Sequence, residues 1–408
     1  MSKLFFYLSR ILVGTLFIFS GFVKAVDPIG SAIKFGDYLT AFNMDMLSFS
    51  VVPLAFAVSA LEFLTGIHLL LGIRIKTFSF VALAFMCVFT PLTLGIAISN
   101  PVSDCGCFGD ALKLTNWETF FKNVVLFIPT IYIFLKRKNT NTEPSGLVKF
   151  VFTFGFTFAI LGVTKYSYDH LPLMDFRPYK VGNNINQGMV IPEDAEQPEY
   201  ETAFILEKDG EQKSFSATDY PYDDSTWVFV RNETKVIKTG YEPPIHDFVL
   251  IDENNEDITQ DILSQKSPTL LIISPQINKG TWGANIDKLS DLQKSVINKG
   301  IKTYFLTASP TDDITNFEFS SEAGFNYLTA DETMLKTVIR SNPGVVLLQD
   351  GNIIGKWHHN DIPEIKDFSN PTSFAVSELI NKKENITITM LILMAVAFST
   401  LTVYKRNI

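Results

Sequence analysis

Cys105-Gly106-Cys107 is the feature of this 408-residue sequence best suited to chemistry. Cysteines two apart can bring their Cα atoms to about 5.5–6.5 Å, inside the window that a disulfide permits. Gly106 supplies the backbone freedom that so small a ring needs. A ring of this kind is readily reduced, which suits exchange chemistry better than permanent cross-linking. Two blander readings stay open for the pair, a structural disulfide and inert thiols in a tight loop. A zinc site requires further Cys or His ligands close by, and the segment Ser103-Asp104-Cys105-Gly106-Cys107-Phe108-Gly109-Asp110 offers none. No metal site is therefore expected. The third cysteine, Cys87, lies inside an apolar run and reads as a small buried apolar residue.

The elements that must hold this pair are membrane spans. A bilayer core needs about 20 mostly apolar residues per helix. Six stretches qualify, at 5–26, 51–71, 78–98, 120–135, 147–164 and 386–404. Lys3, Arg74 with Lys76, Lys136 to Lys138, and Lys405 with Arg406 all fall on one side if the spans alternate. By the positive-inside rule that side is cytoplasmic, as are both termini. The loops 24–50 and 99–119, and the polar insert between the fifth and sixth spans, then face outward. The first run is too long, and too poor in small residues at its exit, to read as a cleavable signal peptide.

Glu62 and Arg10 lie within apolar runs. An intramembrane carboxylate is expensive and faces the bundle interior with a partner. Arg10 is the expected partner, either as a structural ion pair or as support for proton or quinone handling beside the cysteines. His68 lies about 120° round the helix from Glu62, so a shared face is not expected.

The insert is polar and contains no cysteine. Residues 200–208 and 211–216 flank Asp209-Gly210, a strong hairpin signal. Residues 225–231 and 234–239 flank Asn232-Glu233, a weaker one. Strands are then expected at 248–252, 269–274, 302–307, 345–348 and 353–357, with helices at 284–298, 311–323 and 331–339. The net charge of -9, with no basic patch, gives no sign of nucleic-acid binding. No flavin, haem or nucleotide motif is recognisable.

The first four spans resemble the DoxX/MauE group of bacterial membrane proteins. The resemblance rests on Gly14-x-x-Phe17-x-x-Ser20-Gly21-x-x-Lys24, on Glu62-x-x-x-Gly66 with Leu69-Leu70-Leu71-Gly72, and on Cys105-Gly106-Cys107-Phe108-Gly109. The last is closest to the methylamine-utilisation MauE branch, and the whole layout resembles a DoxX-type subgroup found in Bacteroidetes. The resemblance implies a four-helix bundle in the bacterial inner membrane and a role in periplasmic disulfide formation or thiol transfer. Quinone enters only by analogy with other membrane thiol oxidases. The order of elements after residue 244 resembles a thioredoxin-like fold, with Pro343 where such proteins carry a cis-proline beside the binding groove. The Cys-x-x-Cys of active thioredoxins is replaced by Pro275-Gln276-Ile277-Asn278-Lys279-Gly280-Thr281-Trp282-Gly283.

The expected architecture is an α-helical membrane bundle with an α/β thioredoxin-like soluble domain. It comprises a four-helix DoxX/MauE-like domain (1–138), a fifth span (139–168), a linker with a small β subdomain (169–243), a periplasmic thioredoxin-like domain (244–385) and a final span (386–408). Cys105 and Cys107 are the candidate catalytic residues, with Gly106, Glu62 and Arg10 in support. The expected function is exchange of disulfides or electrons with a periplasmic protein, in which case the protein is a thiol–disulfide oxidoreductase. The alternative is a non-enzymatic subunit or assembly factor of an envelope complex.

Overall fold

A computed structural model describes residues 2–102, 104–139, 145–197, 199–238, 240–364 and 370–381. The N-terminal part is helical: α1 Ser2–Val26, α2 Pro28–Ala41, α3 Val51–Leu71, α4 Ile75–Ser99, α5 Asn116–Lys136 and α6 Gly146–Asp169. Among the described residues α1 and α3 to α6 are long and apolar enough to cross a membrane. The span expected at 386–404, with Lys405 and Arg406, lies outside the described residues.

Helix α2 corrects the expectation of an open loop at 24–50. Its start is written in the sequence as Asp27-Pro28: the Asp27 carboxylate accepts from the Gly30 N–H at 2.8 Å, and Pro28 occupies the first helical turn. Thr115-x-x-Glu118 likewise forms a capping box at the head of α5.

Helices α1 and α3 run antiparallel in close contact. A Cβ on Gly21 would lie 2.4 Å from the Phe63 nitrogen, and one on Gly66 would lie 2.4 Å from the Ile18 nitrogen. Small residues allow this approach, as is usual where helices pack within lipid. Val13, Leu64, Leu69, Ile75, Ala82 and Ile133 form the buried core of the bundle.

Residues Asn184–Phe248 form a separate unit. It contains α7 Ile185–Met189 and a sheet of β1 Glu199–Lys208, β2 Glu211–Ser216 and β3 Val228–Lys238, in the order β2-β1-β3. The first hairpin forms as expected, with Lys208 opposite Glu211. The second does not: β3 runs straight through Asn232 and Glu233, which pair with Phe204 and Ala203 of β1. A two-residue turn needs positive φ at its centre, and Asn-Glu lacks the glycine that makes this cheap.

The remaining elements are α8 Thr259–Leu263, β4 Thr269–Ile273, α9 Gly283–Ile297, β5 Lys302–Thr307, α10 Thr311–Ser321, β6 Tyr327–Thr329, α11 Glu332–Val338, β7 Gly344–Gln349 and β8 Asn352–His358. The sheet order is β6-β5-β4-β7-β8. Strands β4, β5 and β6 are parallel, while β7 and β8 are antiparallel additions. All five residues of β4 are buried, which explains its unbroken apolar sequence in a sheet covered on both faces. The strand expected at 248–252 is reduced to bridges from Ile251 to Asp257 and Thr329.

A buried charged cluster ties the segment after α6 to this sheet. The Asp175 carboxylate accepts from Arg177 Nε at 2.7 Å and from Lys356 Nζ at 2.9 Å. Arg177 also donates to the Thr337 carbonyl, and Lys356 to that of Tyr179. Burial raises the Asp175 pKa, but the Lys356 and Arg177 charges outweigh it and hold the carboxyl below its usual range. Burial lowers Lys356 to about 8, helped by repulsion from Arg177.

Candidate thiol site

The loop between α4 and α5 folds back over the end of the bundle. Asn100 ends α4 in a left-handed conformation, φ +46°. The Asn116 amide donates to the Asn100 side chain and to the Val102 carbonyl, both at 2.8 Å. Phe108 is buried against Phe19, with the Lys122 ammonium 4.2 Å from its ring centroid. These contacts pin the loop on both sides of the cysteines.

Both cysteines are free thiols, with their sulfurs 2.7 Å apart. Closing a disulfide therefore requires an approach of only roughly 0.7 Å. Gly106 has φ +60° and donates its N–H to Asp104 at 2.9 Å. That left-handed backbone explains why a glycine separates the thiols. The two sulfurs differ in surroundings. Cys105 is buried and Cys107 is partly exposed. The Cys107 thiol donates toward Cys105 and lowers its pKa to about 6, despite burial. The same interaction, with burial, raises Cys107 well above the ordinary thiol value. Of the two sulfurs, the arrangement favours Cys105 as the one that carries a thiolate.

A buried polar relay holds the loop from below. Lys24 Nζ donates to the Cys107 carbonyl at 2.7 Å, to Ser20 Oγ at 2.7 Å and to Glu62 Oε2 at 2.8 Å. Ser20 Oγ lies 2.8 Å from both Glu62 Oε2 and the Cys107 carbonyl. All three donors of the ammonium are engaged. From the side, Tyr38 of α2 donates to the Cys105 carbonyl, and Lys34 pairs with Asp104 at 3.0 Å.

The expected Arg10–Glu62 pair is corrected: Glu62 pairs with Lys24. Arg10 instead donates to the Leu69 and Leu70 carbonyls at the other end of α3. Because α1 and α3 are antiparallel, the 14 residues from Arg10 to Lys24 place the two cations about 21 Å apart along α1. Ser20, Gly21 and Lys24 were visible as a sequence pattern. Their spacing of three and four marks one helix face, and that was the available signal for Lys24 as the partner. Cys87 is also corrected. It is exposed on α4 rather than buried, and it does not join the pair. His68 keeps apart from Glu62, stacking on Phe78 and bonding to Leu64 and Thr153.

Pro343 follows a cis peptide bond with Asn342. Asn342 links its own loop to the segment after β4, accepting from Ser274 and donating to the Gln276 carbonyl. Three residues before Pro343, Arg340 reaches the helical bundle. Its guanidinium pairs with Asp27 at 3.0 Å and Asp110 at 3.2 Å. Burial lowers the Arg340 pKa, but Asp27 and Asp110 more than offset this and raise it. Asp110 lies three residues beyond Cys107, so the 340–343 loop sits against the end of the thiol loop.

A helical membrane bundle with a dithiol loop at one end is the class that this fold and site define. Residues 2–136 match the family described as methylamine utilisation protein MauE, so the part of the chain that holds the thiol pair is MauE-like. Residues 200–239 match a family described as a domain of unknown function (DUF8463). No curated protein and no solved structure matches the chain.

Proposed function

We propose that this is a membrane thiol–disulfide oxidoreductase of the bacterial inner membrane, with its thiol loop and soluble domain on the periplasmic side. The observation that carries the reading is the asymmetry of the pair, a partly exposed Cys107 beside a buried Cys105 of low pKa. In the oxidised form, a thiolate of a periplasmic protein attacks the Cys107 sulfur. The Cys105–Cys107 bond breaks and Cys105 leaves as a thiolate, which its low pKa favours. The partner's second thiol then attacks its own sulfur in the mixed disulfide, forming the partner's disulfide and releasing Cys107 as a thiol. Two electrons pass from the partner to the pair.

The domain built on β4 to β8 reads as thioredoxin-like, on its strand order and on the position of Pro343. Its sequence contains no cysteine, so it serves as a docking module and not as a redox centre. The periplasmic orientation rests on Lys3, Arg74, Lys76 and Lys136 to Lys138, which mark the opposite side as cytoplasmic.

The test is thiol trapping in cells. Cys105→Ser removes the thiol that would reverse the first step, so mixed disulfides should accumulate on Cys107. Cys107→Ser should trap far less, because Cys105 is buried. Equal trapping, or none, contradicts the assignment. If both serine variants keep full function in vivo, the reading becomes that of a non-enzymatic assembly factor.

A further inference from the structure

Beside the thiol loop lies a small cavity of about 10 Å³, lined by both Cys105 and Cys107. Its walls come from the loop between α4 and α5, Asp104 and Leu112 among them, with one exception. That exception is Thr119, the fourth residue of α5, in the turn that the Thr115 and Glu118 capping box fixes. Thr119 is fully buried, and its hydroxyl oxygen bonds to no oxygen or nitrogen among the described residues. Several other buried threonines of the bundle bond back to the carbonyl four residues earlier, as Thr65 does to Leu61, Thr130 to Leu126 and Thr164 to Ile160. Thr119 is turned instead toward the thiol pair, and its hydroxyl faces the Cys105 sulfur.

An enclosed donor without an oxygen acceptor costs free energy. The cost is offset in any state that places negative charge on the sulfur it faces. The cations around the pair are engaged elsewhere. Lys34 pairs with Asp104 and Lys24 with Glu62. The Lys122 ammonium lies over the Phe108 ring and reaches Cys105 only through its field. Tyr38 donates to the Cys105 carbonyl, not to its sulfur.

We infer that the Thr119 hydroxyl is the donor that stabilises the leaving sulfur of thiol exchange, and so fixes Cys105 as the thiol that leaves; this rests on the thiol-exchange reading above. When a partner thiolate attacks Cys107, the Cys105–Cys107 bond breaks and its electron pair goes to the Cys105 sulfur. Thr119 donates a hydrogen bond to the new thiolate and keeps its proton. The donor is already in place, so little reorganisation is needed as the charge develops.

The experiment uses the full chain in lipid nanodiscs. Thr119→Val and Thr119→Ala remove the hydroxyl, and Thr119→Ser keeps it. Two quantities are read. One is the pH midpoint of the ultraviolet thiolate absorbance of Cys105, in a Cys107→Ala background. The other is the equilibrium of the Cys105–Cys107 bond against glutathione, at a pH above the midpoints and followed by maleimide mass shift. The hydroxyl-free variants should raise the midpoint by about one pH unit and move the equilibrium about tenfold toward the disulfide, the worth of one hydrogen bond to a charged group. Thr119→Ser should stay within about threefold of the wild type. Thr90→Val is the control and should change neither quantity, because the Thr90 hydroxyl is equally unpartnered but lines no part of this cavity. A hydroxyl with a purely structural role would alter stability and leave both quantities in place. Hydroxyl-free variants within about twofold of the wild type therefore overturn the inference, as does a serine variant that shifts as far as the valine one. If the wild-type bond never equilibrates with glutathione, the thiol-exchange reading fails and this inference with it. A wild type that equilibrates beside unshifted hydroxyl-free variants removes the role of Thr119 alone.

Discussion

Lys24→Met is the most informative single change in the bundle. Lys24 and Glu62 are both almost fully enclosed, with side-chain exposures of 6% and 8%. Removing the ammonium takes away three donors at once and leaves the Glu62 carboxylate with Ser20 as its remaining described hydrogen-bond partner. Breaking a buried pair from one side costs about 3–5 kcal/mol, because an uncompensated charge stays behind. The double variant Lys24→Met, Glu62→Met removes both charges and should recover most of that loss, to within about 1–2 kcal/mol of the wild type. It should not restore the thiol loop, since the Cys107 carbonyl still lacks its Lys24 donor. Unfolding free energies can be measured by steric trapping in bicelles, with the alkylation rate of Cys105 as the readout of loop geometry. The reasoning fails if the single variant costs less than about 1 kcal/mol, or if the Lys24 and Glu62 changes are additive instead of coupled.

Four further outcomes follow from the charged contacts and the thiol pair. Arg340→Ala should destabilise docking of the 340–343 loop on the helical bundle by about 3–5 kcal/mol, since Asp27 stays buried without its cation; Asp110→Asn, at the more exposed partner, should cost about 1 kcal/mol or less. Limited proteolysis of the 340–343 region would rank the two. Asp175→Asn leaves Arg177 and Lys356 facing each other and should lower the unfolding free energy by about 3–5 kcal/mol, whereas Lys356→Met should cost less because Arg177 still pairs with Asp175. In the wild type the lowered Asp175 pKa contributes stability that is present above the ordinary carboxylate value near 3.9 and is lost as pH falls through its lower folded value; a melting temperature that stayed flat from pH 6 to pH 2 would contradict this. Alkylation of the reduced pair should show a midpoint below that of an ordinary thiol, set by Cys105, and Cys107→Ala should move it upward because the donating group is gone.

The bundle was largely legible because a span needs only length and apolarity. The runs at 51–71 and 147–164 needed no knowledge of their neighbours to be read as helices. The buried strand β4 was legible for the same reason. What sequence alone did not reveal depends on which elements meet. Arg10 and Glu62 looked like partners because each is a charge in an apolar run, but antiparallel packing of α1 on α3 brings Lys24 to Glu62 instead. Helix α2 carried its start signal in Asp27-Pro28, yet the surrounding residues lack a long apolar run and read as loop. The continuity of β3 depends on its pairing with β1 along its length, which no local pattern encodes. Arg340 joins residues 313 and 230 positions away, so its role became visible only in three dimensions.

The most direct measurement is an equilibrium redox titration of the intact protein in nanodiscs against glutathione or thioredoxin-type buffers, with the Cys105–Cys107 bond followed by mass. A reversible two-electron transition between about −120 and −270 mV, the range of exchanging dithiols, is the predicted result. A bond that never forms, or one that resists reduction below about −300 mV as structural disulfides do, would contradict the account.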